Sequence, residues 1–127
     1  MRQDESLSNA GPGPQWLSPP EVAEVLSVPH RQVRGMLSDG SLVAVRREHG
    51  AGVTIPSTFL IESNAGGFEV VTGLRGTLIQ LTDAGLDPDA VVDWLHSAND
   101  ELGATPIATL RAGSIRAVRR AAQMLAW

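Results

Sequence analysis

Residues 16–56 read WLSPPEVAEVLSVPHRQVRGMLSDGSLVAVRREHGAGVTIP. Ser18, Pro19 and Glu21 open a helix. The serine caps it, the proline suits its first position, and Glu21 three residues on completes a capping box. Leu17 is placed to staple back onto Val22. Val22, Ala23, Val25 and Leu26 then give one apolar face, and the helix ends near Ser27. Pro29 starts a second helix after a link of only a few residues. Two short helices joined so tightly cross steeply, which is the helix-turn-helix arrangement. In the second helix Val33, Met36 and Leu37 point inward at i, i+3 and i+4, leaving His30, Arg31, Gln32 and Arg34 outside. Gly35 costs about 1 kcal/mol against alanine within a helix, and a close approach of another backbone would explain it. Asp39-Gly40 stops the helix, with Gly40 as a left-handed cap.

The next stretch changes period. Leu42 to Arg46 is β-prone, with Leu42, Ala44 and Arg46 on one side and Val43 and Val45 on the other. Gly50-Ala51-Gly52 supplies a turn, Val53-Thr54-Ile55 returns as a second strand, and Pro56 ends it. The product is a hairpin wing with arginines and a histidine near its tip. Ser57 to Ile61 reads as a short helical turn closing the unit.

Outward from this centre the chain divides in three. Residues 1–14 are polar, with Gly11 to Pro14 alternating glycine and proline, and bury too little to offset their ordering entropy. They read as a flexible tail in which Ser6 and Ser8 are solvated. Residues 15–62 form the winged helix-turn-helix. Asn64 to Gly67 is the best boundary, and residues 63–127 form a small helical domain. Within it Phe68 to Val71 is extended and Leu74, Leu78, Ile79 and Leu81 mark a helix ended by Gly85. Pro88 opens another carrying Val91, Val92, Trp94 and Leu95. Ser97 to Gly103 is a loop. A short helix spans Pro106 to Leu110, and Ser114 caps a last one with a stripe of Ile115, Val118, Ala122 and Leu125. The expected class is mainly α with a small β-hairpin wing.

Composition sets limits on function. The 127 residues are 43% hydrophobic with no cysteine, so there is a core but no disulfide or thiol chemistry. No apolar run nears the roughly 20 residues that span a bilayer, and the N-terminus lacks the apolar stretch of a signal peptide. A cytoplasmic protein is expected. The net charge of −4 hides an uneven distribution. Residues 28–56 hold Arg31, Arg34, Arg46 and Arg47 against Asp39 and Glu48, a net +2. Residues 57–110 hold Arg75 against eight acids, a net −7, and residues 111–127 hold four arginines and no acid.

A capped helix, a tight turn, a helix with exposed arginine and glutamine, and an arginine-bearing hairpin together point to double-stranded DNA. Arginine pairs with guanine and glutamine with adenine in the major groove, while wing arginines meet phosphate. The predicted contact set is His30, Arg31, Gln32, Arg34, Arg46, Arg47, His49 and Thr54. The four C-terminal arginines read as a solvated face pairing with acids of residues 83–101. Gly73 and Gly76 form a GxxG like the RNA-clamping loop of a KH domain, but residues 64–72 are poor material for the helix that must precede it. Asp83, Asp87, Asp89 and Asp93 lack EF-hand spacing and suit a helix start. His30, His49 and His96 lack metal-ligand spacing. No catalytic set, metal site or cofactor motif is found, so no enzyme and no cofactor are expected.

The run EVAEVLSVPHRQVRGMLSDGSLVAVRR resembles the helix-turn-helix of the MerR and excisionase superfamily. LVAVRR with GVTIP, then GLRGTLIQLTDAGLDPDAVVDWL and RAVRRAAQMLAW, resembles a small actinobacterial family over residues 15–127. That resemblance implies a DNA-binding winged helix followed by a helical domain, and a transcriptional regulator. The mycobacterial representative is named as a substrate of protein kinase L, a role that does not carry over because the tail here has no threonine. AVVDWLHSANDELGATPIATLRAG is similar to the toxin-binding domain of Xre/MbcA/ParS-type antitoxins. It implies a second reading, in which residues 86–127 bind a protein partner through an uncovered apolar patch. A single module of this size offers few contacts, which favours a homodimer on DNA.

Overall fold

The computed structural model describes residues 15–46 and 52–126. The tail and the wing tip, including Arg47 and His49, lie outside the described residues. The chain runs β1 (Trp16–Leu17), α1 (Pro19–Leu26), α2 (His30–Asp39), β2 (Val45–Arg46) and β3 (Val53–Pro56). A single 3-10 turn, Ser57–Phe59, leads to β4 (Leu60–Glu62) and β5 (Phe68–Val70). Four helices follow, α3 (Leu74–Asp83), α4 (Pro88–Leu95), α5 (Pro106–Arg111) and α6 (Ile115–Gln123), with a last 3-10 turn at Met124–Ala126. The fold is mainly helical with a small antiparallel wing.

Local chemistry explains the first half. The Ser18 hydroxyl accepts from Glu21 N and the Glu21 carboxylate accepts from Ser18 N at 2.7 Å, the reciprocal capping box. Ser27 turns the chain with a left-handed φ of 59°, an uncommon setting for a residue with a Cβ. That turn sends the chain directly into Pro29 and α2. Val22 and Val33 are fully buried where α1 meets α2. The Met36 carbonyl accepts from the N–H groups of Gly40, Ser41 and Leu42, so residues 41–42 finish α2. The strand expected from Leu42 is therefore shortened to Val45–Arg46, because Leu42 is turned into the core by the helix end. Val45 pairs with Thr54 and Arg46 with Val53.

Two strands were not expected: Leu60–Glu62, whose pairing with β5 limits the helical turn read over Ser57–Ile61 to Ser57–Phe59, and Trp16–Leu17. Trp16–Leu17 lies antiparallel on β3, with Trp16 opposite Pro56 and Leu17 opposite Ile55, so β3 is central in the order β1-β3-β2. Two residues are too few to show alternation in sequence. Leu17 thus serves as a strand residue packed against the core.

The stretch Asn64–Gly67 is the turn of a second hairpin. Leu60 pairs with Val70 and Glu62 with Phe68, while Ser63 N donates to the Gly67 carbonyl at 2.9 Å. A single apolar cluster spans both sides of it. Val22, Val33, Ile55 and Phe59 from the first half join Leu74, Leu81, Leu95 and Val118 from the second. Asp87 caps α4 by accepting from Ala90 N at 2.9 Å, and Thr105 caps α5 through Ala108 N. The carboxylate at a helix start is the expected role for one of the acids near residue 87. Ser114 precedes α6 without a side-chain cap, and Ala121 rather than the exposed Leu125 completes the buried stripe with Val118 and Ala122. Gly73 precedes α3, as expected for a helix start and not for an RNA-clamping loop.

Gly73 has φ +89°, and a Cβ there would sit 2.8 Å and 2.9 Å from two branches of Ile115. Gly73→Ala meets both a left-handed strain of about 1–2 kcal/mol and an overpacking cost of about 1–3 kcal/mol. It is expected to lower the urea midpoint by an amount equivalent to about 2–4 kcal/mol at unchanged slope.

Candidate nucleic-acid interface

Helix α2 has two unlike faces. At 100° per residue, Val33, Met36 and Leu37 cluster on one side. Val33 is buried and the other two are half-buried. Opposite them lie Arg31, Arg34, Gly35 and Ser38, all exposed. His30 and Gln32 flank this face and are also exposed. Pro29 at the cap of α2 makes no side-chain hydrogen bond to the first turn, where Gln32 N donates to the Pro29 carbonyl at 2.9 Å. The other first-turn N–H groups and the positive helix end suit an anion such as phosphate.

The remaining predicted residues are distributed as follows. Arg46 is exposed on β2 while its neighbour Val45 is buried. Thr54 is half-buried on β3, and its hydroxyl donates to the Val45 carbonyl at 3.0 Å, holding the two wing strands together. Arg47 and His49 lie outside the described residues. The structure thus gathers Arg31 and Arg34 on one helical face and presents Arg46 on the hairpin that follows.

Two members of the α2 face were missed in sequence. Ser38 lies four positions after Arg34, a spacing that should have signalled a shared face. Gly35 was expected to meet another backbone of the chain. Instead nothing among the described residues lies within 4 Å of the Cβ it lacks, and the position is exposed. The end of α2 is also tied to the second half. Arg75 Nε, at the start of α3, donates to the Ser41 hydroxyl oxygen at 3.1 Å. Ser41 in turn donates from both its hydroxyl and its backbone N–H to Asp39, at 2.6 Å and 2.9 Å. The Ser41 hydroxyl, then the Ser41 N–H, and finally the charge of Arg75 hold the Asp39 carboxyl below its ordinary value of 3.8, against a small opposing effect of burial.

The C-terminal arginines do not adopt the expected pairing with acids. Arg111 donates to the carbonyls of Thr58 and Leu60, at 2.8 Å and 2.6 Å, fastening α5 to the end of the wing unit. Arg119 Nε donates to the Gln80 side-chain oxygen at 2.9 Å, and its backbone carbonyl accepts from the same glutamine. Arg111 and Arg119 thus bond to carbonyl and amide oxygens, although Asp83 and Glu101 of the acidic segment line grooves beside α6.

The comparisons agree with this architecture. One family model, described as the winged helix-turn-helix domain of DNA-binding protein Rv2175c, matches residues 10–60. A second, the Rv2175c C-terminal domain of unknown function, matches residues 71–126. DNA-binding protein Rv2175c of Mycobacterium tuberculosis is 37% identical over 120 residues, covering 85% of this chain and 78% of that protein. The chain belongs to the Rv2175c family. An NMR structure of Rv2175c aligns with a TM-score of 0.71 at 35% identity, covering 91% of this chain and 84% of that one. Family membership therefore extends over both halves, and the winged helix-turn-helix with its helical extension is the family's fold.

The Asp39 arrangement has a pH signature. A carboxylate whose folded value is lowered stabilises the fold above its ordinary value of 3.8, and that contribution is lost as pH falls through the lowered one. Asp39→Asn is expected to unfold at lower urea than the parent at neutral pH. The gap should narrow as pH falls below 3.8 and through the lowered value, which urea titration at neutral and acid pH will measure.

Proposed function

We propose that this protein binds double-stranded DNA as a transcriptional regulator, with α2 in the major groove and the wing on the phosphate backbone. The observation that carries the reading is the outer face of α2, where Arg31, Arg34, Gly35 and Ser38 are all exposed opposite a buried Val33. Gly35 and Ser38 add little bulk to this face, so the helix axis can lie close to base edges while the arginines reach outward. A glycine with nothing near its missing Cβ among the described residues is then accounted for by what docks against it. Arg31, Gln32 and Arg34 have the donor geometry for bases, and His30 at the helix start for phosphate. Arg46 and Thr54 of the wing strands, together with the sequence neighbours Arg47 and His49, would fix register. The name of the mycobacterial relative supports the same reading. No helix among the described residues is long and apolar enough to cross a membrane, in keeping with a cytoplasmic site of action. The division near residue 62 is one of role: residues 15–62 carry the base-reading helix and the wing, and residues 63–127 pack against them as a helical domain.

A second reading rests on the C-terminal end. Met124 is 62% exposed and Leu125 37%, beside a groove lined in part by Leu102, Ala117 and Ala121. Such a patch suits a protein partner or a second copy of the chain. Light scattering across a concentration series distinguishes a homodimer from a monomer.

Binding to duplex DNA should fall steeply with salt. About four phosphate contacts give a log–log slope near −3.6, and Arg46→Ala should reduce its size by about 0.9. The absence of measurable binding at low salt removes the reading. Gly35→Leu separates docking from stability. The variant should fold at least as well as the parent, since leucine is the better helix former, yet bind DNA at least about tenfold more weakly, a loss of about 1.4 kcal/mol.

A further inference from the structure

The recognition face does not stop at the end of α2. Arg75 is bonded to Ser41, two residues beyond that helix. Gly40, the helix cap, lies against α3: a Cβ on it would meet Ile79 at 3.4 Å. On α3 the residue after Arg75 is Gly76, and a Cβ there would come within 3.1 Å of the Arg119 guanidinium. Gln80, one turn further on, fixes Arg119 by a side-chain bond at 2.9 Å. Arg116 and Arg120 lie on α6 beside Arg119, and these three line one shallow groove with Gln80 and Gln123. Arg75, Arg116, Arg119 and Arg120 are all exposed. They form a strip that leads from the end of α2 across α3 to the outer face of α6.

We propose that this strip is a second nucleic-acid contact, binding the phosphate backbone of the same duplex that α2 reads. The inference rests on the DNA-binding reading above and extends it into the half of the family's fold whose function is unknown. Three features support a duplex. The arginines stand in a chain of net charge −4, and the segment 111–127 has no acid, so the positive surface is confined rather than general. Asp83 lines the groove next to Arg119, and Glu101 the one next to Arg120, so the strip is narrow and bordered by negative charge. Two of its guanidinium groups are held in place by Ser41 and Gln80 through Nε alone. A guanidinium carries five N–H donors, so most remain for phosphate. Prior positioning lowers the side-chain entropy lost on binding. Arg111 is excluded, because its side chain is committed to the carbonyls of Thr58 and Leu60.

The contact carries no base readout, so it should act equally on every sequence and add to the salt dependence. The test uses the full chain and duplexes of graded length. For Arg116→Ala/Arg120→Ala the log–log salt slope is expected to shrink in size by about 1.8, with the sequence preference kept. The parent should lose affinity when the duplex is trimmed on one side of the site, and the variant should be indifferent to that trimming. Arg116→Gln/Arg120→Gln serves in the same way if circular dichroism shows the alanine pair to be misfolded. A folded variant with the parent's slope and length dependence overturns the proposal, and the strip then serves an acidic protein or solvent alone. Arg31→Ala/Arg34→Ala, measured alongside, keeps the two readings apart. Loss of sequence preference in that variant with no change in the α6 variant refutes only the strip, whereas a parent that does not bind refutes both.

Discussion

Phe59 sits where the two halves of the chain meet, and its burial is complete. It lies in the single 3-10 turn between the wing and the β4–β5 hairpin. Its ring stacks on His96, the residue that ends α4, with centroids 6.2 Å apart. Its carbonyl accepts from Val71 N at 2.9 Å, and the carbonyls on either side, of Thr58 and Leu60, are taken by Arg111. The His96 ring is fixed at both nitrogens, Nδ1 against the Val92 carbonyl and Nε2 against the Thr58 hydroxyl. Loss of a buried phenylalanine side chain generally costs about 3–5 kcal/mol. Here the same turn also supplies backbone acceptors to Val71 and Arg111. The orientation of α2 relative to α3 and α6 depends on this joint.

The first half of the fold was legible because its signals are local. A capping box, a proline at N1 and a glycine at a left-handed helix end each act over three or four residues. They set α1 and α2 within a residue or two of where they stand. Amphipathic spacing then fixed which side of α2 is buried, through Val33. The outer face was legible in its charges but not in its small residues. Gly35 was judged by its cost inside a helix, and Ser38 carries no charge to draw notice.

What was not legible depends on contacts far apart in the chain. The strand Trp16–Leu17 exists because β3 offers it a partner about 40 residues later. The Arg75–Ser41 bond spans 34 positions, and that from Arg119 to Gln80 spans 39. Asn64–Gly67 looked like a linker because glycine and asparagine favour linkers and tight turns alike. Only the pairing of β4 with β5 decides between them. The C-terminal arginines were assigned to nearby acids by sequence distance, while folding brings amide and carbonyl oxygens closer.

The continuous apolar cluster has a consequence for how this family can change. Modules joined by an open linker can be exchanged between relatives as independent pieces. Here Phe59 stacks on His96, Gly73 accommodates Ile115 and Gly40 accommodates Ile79, so each half has shaped the other. A chimera taking its winged half from one relative and its helical half from another would bring together surfaces that had not adapted to each other. The exposed Arg31, Gln32, Arg34 and Ser38 of α2 can vary one at a time, while the seam evolves as a unit.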